Sequence, residues 1–233
     1  MFDFFTITPQ PDISLFGTTI NEPVTALTGL LITLACWIAY RNLDRSSIEL
    51  WPARLMAYFF IFLGLSNLFG SLAGHAFYEK LGLMWKVPGW SMGMIASGLV
   101  AQVSIIRWNG FGPVKKSAIA LSLANLLLFS GLLYLAIDQL NFKMVELYSV
   151  FSLVGIMLPI EIRMYRYDLS GASIWMLKAL VPAFIAVLLH ILKFSFSPWF
   201  NFFDIGHVLL CGTVLYFFRS ARVMRGELAV RIP

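Results

Sequence analysis

The chain has 233 residues, 59% of them hydrophobic and 12% charged, with a mean hydropathy of +0.81. A soluble domain carries about 25% charged residues, so a soluble enzyme is excluded and the fold class is all-α, an integral membrane bundle of seven transmembrane helices. The formal net charge of +5 is read as loop Lys and Arg placed by membrane topology, with no nucleic acid as partner.

Residues 1–21 are expected to form an extracytoplasmic N-terminal segment. They include Asp3 and Asp12 but no Lys or Arg, unlike the positive start of a cleaved signal peptide. Phe2, Phe4, Phe5, Leu15 and Phe16 suit this segment to rest at the interface or cap the bundle mouth; the alternative is a partly ordered tail. A seven-transmembrane domain is expected over 22–219. About 20 apolar residues suffice to cross, and the candidate spans are 22–41, 53–79, 83–106, 116–137, 142–162, 171–193 and 197–218. A cytoplasmic tail follows over 220–233. The connections running from Arg107 to Pro113 and from Tyr165 to Gly171 carry turn residues. Cys36 and Cys211 fall mid-span and read as packing thiols.

The basic residues orient the bundle. One set of span ends holds Arg41, Arg45, Arg54, Arg107, Lys115, Lys116, Arg163, Arg166, Arg219, Arg222, Arg225 and Arg231, whereas the opposite set holds only Lys80, Lys86, Lys143 and Lys193. Lys178 lies within the sixth span and belongs to neither set. The positive-inside rule therefore puts the N-terminus outside and the C-terminus in the cytoplasm. The membrane is a bacterial inner membrane or a eukaryotic endomembrane or plasma membrane.

All three histidines, His75, His190 and His207, fall in apolar segments. Ionisable groups at membrane depth face a bundle interior or a wet cavity and mark a functional site by default. Span two carries Asn67, Ser71, His75 and Glu79 four residues apart, which places them on one helical stripe. Span seven carries Asn201, Asp204 and His207 at i, i+3 and i+6. With the orientation above, all three histidines and Glu22 and Glu146 fall in the outer half. Histidine and carboxylate suit zinc, with water in an open position. Glu79 reads as an interface residue beside Lys80, and Glu161 as a solvated helix end beside Arg163. Trp51, Trp85, Trp90, Trp199, Tyr58 and Tyr78 read mostly as an interfacial belt.

Three elements carry a family resemblance: Asn21-Glu22-Pro23-Val24-Thr25 at the start of span one, Ser71-x3-His75 near the end of span two, and His207 in span seven. Together they resemble the superfamily of seven-span hydrolases that contains the alkaline ceramidases and the progestin and adipoQ receptors. The ceramidases share the outward N-terminus. The resemblance implies one zinc ion held by His75 and His207, with Asp204 or His190 as a further ligand. It also implies that Ser71 steadies the reacting centre while metal-bound water attacks a lipid amide, with Asp204 beside it as a second catalytic candidate. The chain departs from the pattern in span seven, where the first histidine of the family's pair falls at Phe203. The ceramidases' acidic residue after span two has no clear match, Lys86 lying near that position, and their calcium-binding acidic cluster before span one is absent.

The expected function is a membrane-embedded zinc-dependent hydrolase of a lipid amide or ester. The alternative is a non-catalytic seven-span lipid-binding or sensing protein with a degenerate metal site. Both take a membrane lipid as partner. A transporter is disfavoured because no internal repeat is detected, and a retinal protein because span seven has no lysine.

Overall fold

A computed structural model describes residues 10–43, 51–110, 113–168 and 170–231. Asp3, Phe2, Phe4, Phe5, Arg45 and the side chains of Arg225 and Arg231 lie outside the described residues. A short antiparallel hairpin, β1 (Ile13–Leu15) and β2 (Thr18–Ile20), comes first, paired Ile13 to Ile20 and Leu15 to Thr18. Its tip residue Phe16 is 97% exposed.

Seven helices are long and apolar enough to cross a membrane. The first is α1 (Pro23–Arg41), with Pro23 at its first position, where a missing N–H costs nothing. The second is α2 (Trp51–Phe69), which continues into a π-helical segment, Gly70–Ala76. A single turn, α3 (Tyr78–Leu81), and a 3₁₀ turn lead into the third, α4 (Val87–Asn109). The fourth is α5 (Lys116–Asp138). The fifth is built from α6 (Phe142–Val150), a second π segment (Phe151–Met157) and α7 (Leu158–Asp168). The sixth is α8 (Gly171–Leu192) and the seventh α9 (Phe202–Arg231).

Six of the spans close a ring. α1 packs between α2 and α9, α8 lies along α9, α7 meets α8, and α4 joins α2 to the fifth span. α5 stands outside the ring against α4 and α6. The core fills the ring with Ile32, Cys36, Met56, Phe60, Val100, Met157, Met176, Val214 and Phe217. α4 approaches α2 through Gly89 and Gly93. A Cβ at Gly89 would lie 3.1 Å from Ser66 O and one at Gly93 2.9 Å from Ser66 Oγ, the small-residue contact by which membrane helices gain van der Waals packing.

Three expectations change. The seventh span begins at Phe202 rather than 197, because Asn201 and Asp204 form a reciprocal cap. Asn201 Oδ1 accepts from Phe203 N at 2.8 Å, and Asp204 Oδ2 accepts from Asn201 N at 2.7 Å. Glu161 is not a solvated helix end but 0% exposed. Arg107 Nη1 donates to both of its oxygens at 2.8 Å, and Ser104 Oγ donates to Oε1 at 2.6 Å. Arg107 Nη2 also reaches Ser170 and Ser173 at the start of α8, and Glu227 of α9 accepts from Ser170 Oγ and Ala172 N. This network ties four spans together at the arginine-rich end. Finally, the span-two stripe is shorter than four residues. Asn67 Nδ2 turns back to Leu63 O of its own helix, and Glu79 is exposed beyond the span.

Candidate functional site

The site lies where α1, the π segment of span two and the start of α9 meet, at the end opposite the arginine-rich one. The π segment carries both Ser71 and His75, and widened turns of this kind occur mostly as single interruptions at functional sites. Glu22 precedes Pro23 and has a left-handed backbone, φ 41° and ψ 56°. That conformation is uncommon for a residue with a Cβ and persists only when surrounding contacts hold it. Here Glu22 Oε2 lies 2.6 Å from His75 Nδ1.

His75 and His207 stand edge to face with ring centroids 6.0 Å apart. His207 Nδ1 lies 2.9 Å from Thr28 Oγ1, which is 3.2 Å from Asp204 Oδ1. A hydroxyl has one hydrogen. Thr28 Oγ1 also lies 3.1 Å from Thr25 O of its own helix; if its hydrogen goes to the carboxylate, His207 Nδ1–H donates to Thr28, and the chain runs imidazole to hydroxyl to carboxylate. His75 Nδ1–H donates directly to Glu22. In its neutral form with the proton on Nδ1, each ring keeps Nε2 as a lone-pair acceptor.

Asp204 is wholly buried and its oxygens are committed: to the cap of α9, to Thr28, and at 3.4 Å to Gln10 Nε2. Ser71 is 1% exposed and its Oγ has no hydrogen-bond partner. Asn21 Nδ2 and Thr25 Oγ1, near the same junction, are the other unpartnered buried side-chain atoms among the described residues. Gly29 faces this gap. A Cβ there would collide with Ser71 Oγ and lie 3.5 Å from His207 Cε1, so the absent side chain opens the space beside the imidazole.

The structure brings Ser71, His75, His207 and Asp204 to one junction but sets His190 apart. Phe203 contacts His75 on one side (5.6 Å between centroids) and His190 on the other (5.1 Å). His190 Nε2 lies 3.4 Å from Lys193 Nζ. Gln10 is a site residue that sequence reasoning missed. It is 4% exposed, accepts from Val24 N and Thr25 N at 2.8 and 3.2 Å, and donates to Trp199 O at 2.9 Å. It closes the mouth over α1 and α9. Nothing in Pro9-Gln10-Pro11 signals this. Thr28 was also missed, although its place three residues after Thr25 puts it near the same helix face.

A catalytic zinc takes three protein ligands and an open position. Here the free donors are two imidazoles. Asp204 is engaged elsewhere, His190 lies behind Phe203, and no group of three or more His, Cys, Asp or Glu among the described residues is arranged to hold a metal ion. The residues present therefore do not fit a three-ligand zinc centre.

Seven apolar helices around a buried polar junction define a multi-pass membrane protein. The chain belongs to the Family of unknown function (DUF6962), whose model matches residues 24–226, from the start of α1 into the last turns of α9. A search of curated proteins finds no match.

Proposed function

We propose that this protein binds a membrane lipid through the His75–His207 junction without hydrolysing it, the polar centre keeping two of the three imidazoles that the ceramidase-like resemblance implies. The observation that carries this reading is Phe203, whose ring packs against both His75 and His190 at the position where the resemblance would place the third imidazole. The junction offers two Nε2 lone pairs and the unpartnered Ser71 hydroxyl. The two lone pairs recognise hydrogen-bond donors and the hydroxyl both donates and accepts, so the ligand class is a lipid whose headgroup carries a hydroxyl or amide N–H. Such a lipid enters sideways between spans, where no soluble domain is required.

The zinc-dependent lipid hydrolase is the second reading. It is favoured by the carboxylate-terminated hydrogen bonds behind both imidazoles, an arrangement common behind metal-binding histidines.

The test uses purified full-length protein, an N-acyl amino alcohol as the donor-bearing lipid, a fatty-acid methyl ester as the donor-free one, and zinc titration after chelation. The expected result is binding of the first lipid only, weak zinc affinity in the wild type, and tight zinc binding in Phe203→His. A wild type that holds one zinc and cleaves the lipid amide would overturn the binding reading in favour of the hydrolase.

A further inference from the structure

The arginine-rich end carries a second feature, independent of the histidine junction. Trp175 of α8 stacks on Tyr216 of α9, with centroids 6.0 Å apart and planes 23° apart. Two cations converge on the same indole: Lys178 Nζ at 4.5 Å and Arg219 Cζ at 5.0 Å from its centroid. Lys178 and Arg219 are exposed on the outside of the bundle, and Trp175 is half-buried. Neither cation forms an ion pair among the described residues. Glu227 at this end is committed to Ser170 and the Ala172 N–H.

The directions of the two side chains matter. Helical side chains lean toward their own N-terminus. α8 starts at the arginine-rich end, so Lys178 leans back toward that end. α9 runs toward it, so Arg219 leans away from the aqueous side and into the membrane. The two charges thus reach one ring from opposite directions. Trp175 lies four residues beyond Gly171, about 6 Å along the axis, close to headgroup depth. A cation held there without a counter-charge is costly, and the indole face offsets only part of that cost. Beyond the ring, α8 and α9 present exposed Val181 and Leu215, an apolar surface on which acyl chains can lie.

We propose that Trp175, Lys178 and Arg219 form a binding site for the phosphate of an anionic phospholipid in the leaflet at the arginine-rich end. The guanidinium forks onto phosphate oxygens, the ammonium supplies a point charge, and the ring positions both. Charge complementarity selects this occupant: two cations without acidic partners among the described residues meet a surface whose lipids supply anions.

The experiment is native mass spectrometry of the full-length protein titrated with phosphatidylglycerol and, separately, phosphatidylcholine. The wild type is expected to retain phosphatidylglycerol in preference. Lys178→Ala with Arg219→Ala should weaken that binding about 30-fold, from about 1 kcal/mol per cation near an anionic surface. A charge-matched double variant at the same end, Lys116→Ala with Arg166→Ala, should leave it unchanged. The conservative pair Lys178→Arg with Arg219→Lys should retain most of it, which separates loss of charge from loss of fold. No lipid preference in the wild type, an equal loss in the charge-matched control, or full loss in the conservative pair would each overturn the proposal. None of these outcomes bears on the His75–His207 junction at the other end.

Discussion

Replacing Glu161 by Gln should destabilise the bundle by about 3 kcal/mol. The substitution keeps the shape of the side chain and removes its charge, leaving Arg107, itself 7% exposed, without its paired carboxylate. Breaking a buried pair from one side typically costs about 3–5 kcal/mol, because the remaining charge stays desolvated. The lower end applies here, since Glu227 Oε2 stands 3.9 Å from Arg107 Nη2 and supplies a second, more distant negative charge. Glu161→Leu also takes from Ser104 Oγ its 2.6 Å acceptor, leaving only Val100 O at 3.4 Å, and should fall nearer 5 kcal/mol. Removing both partners, Arg107→Met with Glu161→Met, should recover most of the loss, as an apolar replacement of a buried ion pair is often neutral. The assay is equilibrium unfolding in mixed micelles followed by tryptophan fluorescence, arranged as a double-mutant cycle. A Glu161→Gln variant within about 0.5 kcal/mol of wild type, the range of ordinary surface substitutions, would refute the argument that this pair is buried and coupled.

Gly29→Ala should cost about 1–3 kcal/mol by overpacking and abolish lipid retention at the histidine junction. Ser71→Ala in the same chain should restore the stability by removing the atom the new Cβ meets, and a neutral Gly29→Ala alone would contradict the packing described. Gln10→Ala removes the acceptor for two backbone N–H groups and should cost about 1–3 kcal/mol. Its readout is hydrogen exchange, where the amides of Val24 and Thr25 should lose protection. Orientation is checked by labelling Phe16→Cys and Lys116→Cys with an impermeant maleimide. Only the first should react from outside, and the reverse pattern would invert the topology argued from the basic residues.

The spans were legible because hydrophobic length is a one-dimensional signal. Each expected segment overlaps an observed helix, and the offset at 197–201 arises where Asn201 and Asp204 cap the seventh helix. The meeting of His75 and His207 could be read from depth alone once the basic residues had fixed the direction of each span. What depth cannot give is azimuth. His190 lies at a similar level, yet an aromatic ring separates it from His75, and Phe203 looked only like a missing ligand rather than a wall. Glu161 was misread for the same reason. Its neighbour in sequence, Arg163, drew attention from its partner in space, Arg107, on another helix. Gln10 shows a further gap, since a single amide between two prolines has no periodicity from which burial can be inferred.

The π segment at Gly70–Ala76 separates two jobs within one span. Below it, Met56 and Phe60 are locked into the ring's core; within it, Ser71 and His75 face the polar junction. A π turn bonds i to i+5 and so accommodates one residue more than an α turn does. Were the same residues to wind as an ordinary α-helix, the end of the segment and the chain beyond it would turn by about 100°, with the core half of the span unmoved. The angular setting of the imidazole therefore depends on how this one segment winds, as π or as α.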